Sequence, residues 1–185
     1  DKVIAEEWSQ FDKVQNIGGR ADCQDDYETF SIMRKAQYML WSKEMLESFY
    51  DDLISARDKG WNLITEKYAR MMQSTNPLEY ARLENDLPVI NEDRIKIQEE
   101  IIKIQVGWME DFAKLYPKLS GNMRTIHTSS DTSFNTSYET YLRGELCTYS
   151  EKTMILYASF IIGLLNAGRN LAIEVMGNTA KLYGF

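Results

Sequence analysis

Residues 16–28 run Asn16-Ile17-Gly18-Gly19-Arg20-Ala21-Asp22-Cys23-Gln24-Asp25-Asp26-Tyr27-Glu28, four acids around a single cation after a pair of glycines. Glycines ahead of a helix start can cradle an anion with backbone amides. Here Asp22, Asp25, Asp26 and Glu28 would repel a bare phosphate, and a hard divalent cation such as Mg²⁺ held by those four carboxylates suits the segment better. The spacing follows no calcium-loop pattern. The plain structural alternative is a connection between two helices, with aspartates that cap and Arg20 paired to one of them. Arg20, Asp22, Gln24 and Asp25 are the candidate ligand contacts of this segment.

A second candidate spans residues 138–149. Glu139 and Arg143 stand four apart, as do Tyr141 and Glu145, so each pair shares a helix face. Either Glu139 and Arg143 form an exposed ion pair worth about 0.3–0.5 kcal/mol, or Glu139, Arg143 and Glu145 belong to a tyrosine- and arginine-lined wall that grips a small polar ligand. A third is a stripe of Arg34, Gln37, Trp41 and Glu44 at helical spacing. Trp41 suits open water poorly, so Arg34 and Trp41 are candidate contacts of a groove or a partner.

Other chemistries are harder to build. His127 is the single histidine, and Arg124 stands three residues before it, which rules out a Glu-x-x-His di-iron pair. A Ser–His–Asp triad would have to use His127, in a stretch (127–137) where seven of eleven residues are Ser or Thr and which reads as a loop. Cys23 and Cys147 have no metal-binding or redox spacing and read as reduced cysteines.

The elements that must position these residues are helices. Ile4, Trp8, Phe11 and Val14 mark one helix over about residues 3–16, closed by Gly18-Gly19. Asp25 with Glu28 reads as a reciprocal cap opening one long helix to about Lys59, its core stripe Ile32, Ala36, Met39, Leu46, Phe49 and Leu53. A shorter helix covers about residues 61–73. Asn76-Pro77 opens another, and Pro88 breaks it. Asn91 caps a second long helix with the stripe Ile97, Ile101, Ile104, Trp108, Phe112 and Leu115, ended by Tyr116-Pro117. Thr136 with Glu139 and Thr148 with Glu151 cap two more, and the last carries the apolar run 154–165. That run is shorter than the roughly 18–20 residues a bilayer needs, and is expected to be a buried core helix with Ile161 inside. Gly163, Gly168 and Gly177 punctuate this region, and one of them is expected to mark a break or a close helix crossing. The expectation is one all-α domain over 1–185: an antiparallel bundle of four to six helices, two of them long, around a central apolar C-terminal helix.

The net charge is −7, and 21 basic residues are scattered without a run. No nucleic-acid surface and no membrane partner is expected, because both need clustered cations. Residues 1–7 have neither a basic flank nor an apolar block and do not read as a signal peptide, so a cytoplasmic location is expected. A homo-oligomer is compatible with the sequence.

Residues 18–26, with Glu28-Thr29-Phe30, Met33-Arg34 and Gln37, resemble a bacterial family of unknown function, domain of unknown function 4125. Glu66-Lys67-Tyr68-Ala69, Met71-Met72 and residues 139–146 extend the resemblance over nearly the whole chain. It implies no activity. It does imply a nucleotidyltransferase-like protein as a partner, since relatives look to be joined to or encoded with one. The leading expectation is therefore a helical ligand-binding module. The alternatives are a small carboxylate-based enzyme, with or without Mg²⁺, and a structural protein-interaction domain. For the leading reading, residues 18–28 should pack beside residues 138–149, with Arg143 facing Asp22 or Asp25.

Overall fold

Every regular element is a helix. The computed structural model describes residues 1–16 and 18–185, and among them lie ten α-helices and no strand. They are α1 (Lys2–Phe11), α2 (Tyr27–Tyr38), α3 (Lys43–Asp58), α4 (Leu63–Thr75), α5 (Pro77–Leu83), α6 (Glu92–Leu115), α7 (Pro117–Ser120), α8 (Tyr138–Cys147), α9 (Glu151–Asn166) and α10 (Leu171–Leu182). Backbone contacts divide the chain into two compact units, each discontinuous in sequence. One comprises Asp1–Thr65, Tyr149–Phe160 and Ile173–Phe185; the other comprises Glu66–Thr148 and Ile161–Ala172.

Local chemistry accounts for most helix ends. The Asn76 side chain accepts from the Glu79 amide with Pro77 in the first turn, and Asn91 accepts from the Arg94 amide at 2.8 Å, as the sequence predicts. At α8 the cap is Ser137 rather than Thr136, and at α9 Ser150 rather than Thr148. Asp26, not Asp25, caps α2 by accepting from the Thr29 amide, so the expected Asp25–Glu28 reciprocal cap does not form. Gly60 ends α3 and Gly168 separates α9 from α10, both at positive φ.

The expected long helix over residues 26–59 is two helices. Ser42 takes an extended conformation and accepts from the Met45 amide, starting α3 afresh. Trp41 is turned into an aromatic cluster with Tyr38, Phe49, Tyr149 and Tyr157, at centroid distances of 5.0, 6.0, 6.2 and 5.7 Å. Met39, expected in the core stripe, lies at the break and is 54% exposed. Only α6, of 24 residues, matches the two-long-helix expectation.

In the first unit the core is Val3, Ile4 and Phe11 with Ala36, Tyr38, Phe49 and Leu53. An ion pair lies inside it. Arg34 Nη2 reaches Glu7 Oε1 at 2.6 Å, Arg34 Nε reaches Glu7 Oε2 at 3.0 Å, and Tyr38 donates to Glu7 Oε2 at 2.7 Å. Gln37 accepts from Arg34 Nη1 at 2.9 Å. Three members of the Arg34–Gln37–Trp41–Glu44 stripe are therefore committed to internal contacts, and Glu44 alone is exposed.

In the second unit Met71, Ile101, Ile102, Trp108, Phe112, Leu142 and Leu146 are buried. Ile97 and Leu115, assigned to the α6 stripe, are exposed, and Arg94, Gln98 and Gln105 are buried instead. Arg94 explains part of that reversal, because it donates to Gln98 Oε1 and to the Leu146 carbonyl, a free acceptor at the end of α8. Within α9, Met154, Tyr157, Ile161 and Leu164 are buried while Ile155, Ile162 and Leu165 are exposed, so the apolar run is half core and half surface. Among the described residues no single helix is long and apolar enough to cross a membrane. The pair α9 and α10 passes on length and composition only when its two helices are joined.

The Glu7–Arg34 pair yields the first prediction. Arg34→Met leaves a buried carboxylate without its cation, and urea unfolding should show a loss of about 3–5 kcal/mol. Adding Glu7→Gln should restore part of it. A single variant as stable as the parent would mean the pair is solvated.

Candidate functional site

The acidic segment is a structural knot around the end of α1. Gln24 is buried, and its amide nitrogen donates to the Phe11 and Val14 carbonyls, both at 2.9 Å. Its oxygen accepts from the Ala21 amide and from Asn16 Nδ2, both at 2.9 Å. All four hydrogen-bonding positions of the side chain are filled by the protein. Arg20 pairs with Asp12 at 2.6 Å and Asp25 at 2.8 Å, and also donates to the Gln24 carbonyl. Asp26 caps α2, which holds its carboxyl below the ordinary value. Asp22 and Glu28 are not drawn into the knot's ion pairs. Among the described residues no three His, Cys, Asp or Glu side chains group to hold a metal. Ile17, part of this segment, lies outside the described residues.

The two candidate segments fall in different units, and each is described within its own. Arg143 has anions of its own unit. Its Nε and Nη2 grip the two oxygens of Glu99, on α6, at 2.7 and 3.0 Å. Nη2 also reaches Glu139 at 2.8 Å, and Nη1 donates to Thr128 Oγ1 at 3.1 Å. The bidentate fork fixes the guanidinium plane. These contacts, led by the hydrogen bond to Glu99, raise Arg143 above its ordinary value. Burial pushes the Glu139 carboxyl up, but the Thr128 amide and Arg143 outweigh it and hold the group low.

The Ser/Thr-rich loop is folded onto α8 by Asp131. One oxygen accepts from the Ser137 amide, and the other accepts from the hydroxyls of Ser74 and Thr140. Thr128 and Thr140 hydroxyls share a hydrogen bond of 2.8 Å. Those donors outweigh partial burial and depress Asp131. His127 Nε2 meets Glu110 at 3.0 Å, and its Nδ1 lies 3.9 Å from Glu139.

This scaffold walls a cleft of about 740 Å³ within the second unit. Its polar lining comes from Ser74 and Gln73 on α4, Glu99 and Gln98 on α6, and Glu139 and Arg143 on α8. Its apolar lining is the segment Leu87-Pro88-Val89-Ile90 with Ile95, and Tyr80 adds a ring. Gly144 lets α8 approach α4, since a Cβ there would meet the Lys67 carbonyl at 2.8 Å and Met71 Cγ at 2.9 Å. Cys147 also lines the cleft, its thiol raised first by burial.

Glu145 is turned away from the cleft lining, and Lys67 reaches it at 3.1 Å and Tyr141 Oη at 2.7 Å. Burial, then the Glu145 charge, pushes the Tyr138 hydroxyl up. Of the sequence candidates, Glu139 and Arg143 line the cleft; Arg20, Gln24, Asp25, Arg34 and Trp41 bind other parts of the protein. Sequence reasoning missed Ser74, Glu99 and the apolar lip. The one signal was Pro88, read only as a break.

The chain matches, over residues 1–185, the family model described as protein of unknown function DUF4125, and it belongs to that family. No curated protein and no solved structure matches it.

Asp131 gives a prediction for acid stability. Its carboxyl is depressed in the fold, so its contribution is complete above the unfolded value of about 3.9 and is lost as pH falls through the lower folded value. Asp131→Asn should lower the melting temperature at neutral pH and flatten its decline below about pH 4. An acid limb identical to the parent's would show that the loop is held otherwise.

Proposed function

We propose that the chain is a helical ligand-binding module whose site is the cleft in the second unit. The observation that carries this is a concavity of about 740 Å³ in whose lining Arg143 is hydrogen-bonded to Glu99 and Glu139. Small-molecule sites fall in this size range and combine apolar lining with a few fixed polar groups. Arg143, Glu99 and Glu139 supply the fixed groups, and Leu87 to Ile90 the apolar lining. Binding is favoured over acid–base catalysis, because Glu139 is held in its charged form and shares its guanidinium with Glu99. A nucleotidyltransferase-like protein as partner is proposed on the family resemblance alone.

A fragment screen by saturation-transfer NMR tests the reading. Gln73 lines the cleft from an exposed position, so Gln73→Trp should fill it without disturbing the fold. Hits on the parent protein should disappear in Gln73→Trp while its melting temperature is unchanged. An absence of hits, or hits indifferent to the tryptophan, would overturn the assignment.

A further inference from the structure

The cleft is rich in acceptors and poor in available cations. Two arginines and three glutamates line it. Arg143 already serves Glu99, Glu139 and Thr128, which leaves one Nη1 proton of its five uncommitted. Arg70 holds Glu66 at 2.8 Å and the Pro88 carbonyl at 2.7 Å. An anion entering the cleft would meet guanidinium groups whose charge is balanced at contact distance.

The carboxylates stand differently. An ionised carboxylate offers about four lone-pair directions. Arg143 and the Thr128 amide fill two on Glu139, and Arg143 fills two on Glu99. Glu84 adds a third carboxylate to the lining. The surplus is of negative charge and of acceptors. The same lining includes apolar side chains that the chain leaves in water: Val89 is 98% exposed and Ile95 44%. Side chains of that size gain about 1.5–3 kcal/mol when fully covered.

We infer that the cleft takes an organic cation, a primary amine or amidine carried on a short apolar body, rather than a phosphorylated or carboxylated metabolite. The inference rests on the cleft being the ligand site. The ammonium hydrogens satisfy the open lone pairs of Glu99 and Glu139, and the apolar body covers Val89 and Ile95. Arg143 then acts as a positioning residue that fixes both carboxylates.

Three probes of one shape separate the site from its preference: 2-phenylethylamine, 2-phenylethanol and phenylacetate, titrated at pH 7 by saturation-transfer NMR. The amine should bind about tenfold or more tightly than the alcohol, and added salt should weaken it. Glu84→Gln should weaken the amine severalfold and leave the alcohol unchanged. Gln73→Trp should abolish binding of both. Phenylacetate or the alcohol binding as tightly as the amine, in a manner Gln73→Trp abolishes, overturns the cation preference and leaves the cleft as the site. Binding that survives Gln73→Trp overturns the site, and the preference with it. No binding of the amine overturns the preference outright, and the fragment screen then decides the cleft separately.

Discussion

One guanidinium organises the cleft of the second unit. Arg143 joins a long helix, α6, through Glu99, its own helix through Glu139, and the Ser/Thr loop through Thr128. A loop of that composition has little apolar surface to bury and would fluctuate if only its backbone held it. Arg143 and the carboxylate of Asp131 supply the missing restraint with charge-assisted hydrogen bonds, which are shorter and stronger than neutral ones. The half-exposed setting matters, because it keeps the desolvation cost moderate while the bidentate fork sets the geometry. The cleft wall is in this sense preorganised, which lowers what a ligand must give up to bind.

The buried polar groups of the first unit follow a different rule from the cleft wall. Glu7 and Arg34 are almost fully buried, and the network closes through Tyr38 and Gln37. Gln24 closes the end of α1 in the same spirit, since its four bonds go to backbone groups and Asn16. Buried polar groups of this kind add little to stability over an apolar core but penalise any other packing. Such saturated groups have no capacity left for a ligand, which separates them from the cleft carboxylates.

What could be read from the sequence follows from the range of each interaction. Caps act over three residues, so Asn76, Asn91 and the Pro117 stop were legible, and with them α5 and α6. The break before Ser42 was not, because apolar periodicity continued through it and hid the cap. Arg143 was legible as a neighbour of Glu139 on one helix face. Its stronger partner Glu99 lies 44 residues away in sequence and leaves no local trace. Gln24 and Arg34 read as ligand contacts because polar residues are expected outside. Their partners, the α1 carbonyls and Glu7, appear only once the chain is folded. The apolar lip at residues 87–90 carried no helical period and was read only through its proline.

Amide hydrogen exchange at the Ser/Thr loop tests the central role of Arg143 most directly. The Thr128 amide donates to Glu139 and the Ser137 amide to Asp131, so both report on the wall itself. In Arg143→Met, exchange at these two amides should accelerate about fivefold to tenfold, while amides of α2 and α3 keep their protection. Unchanged protection at Thr128 and Ser137 would contradict the account, for the loop would then be held without the arginine.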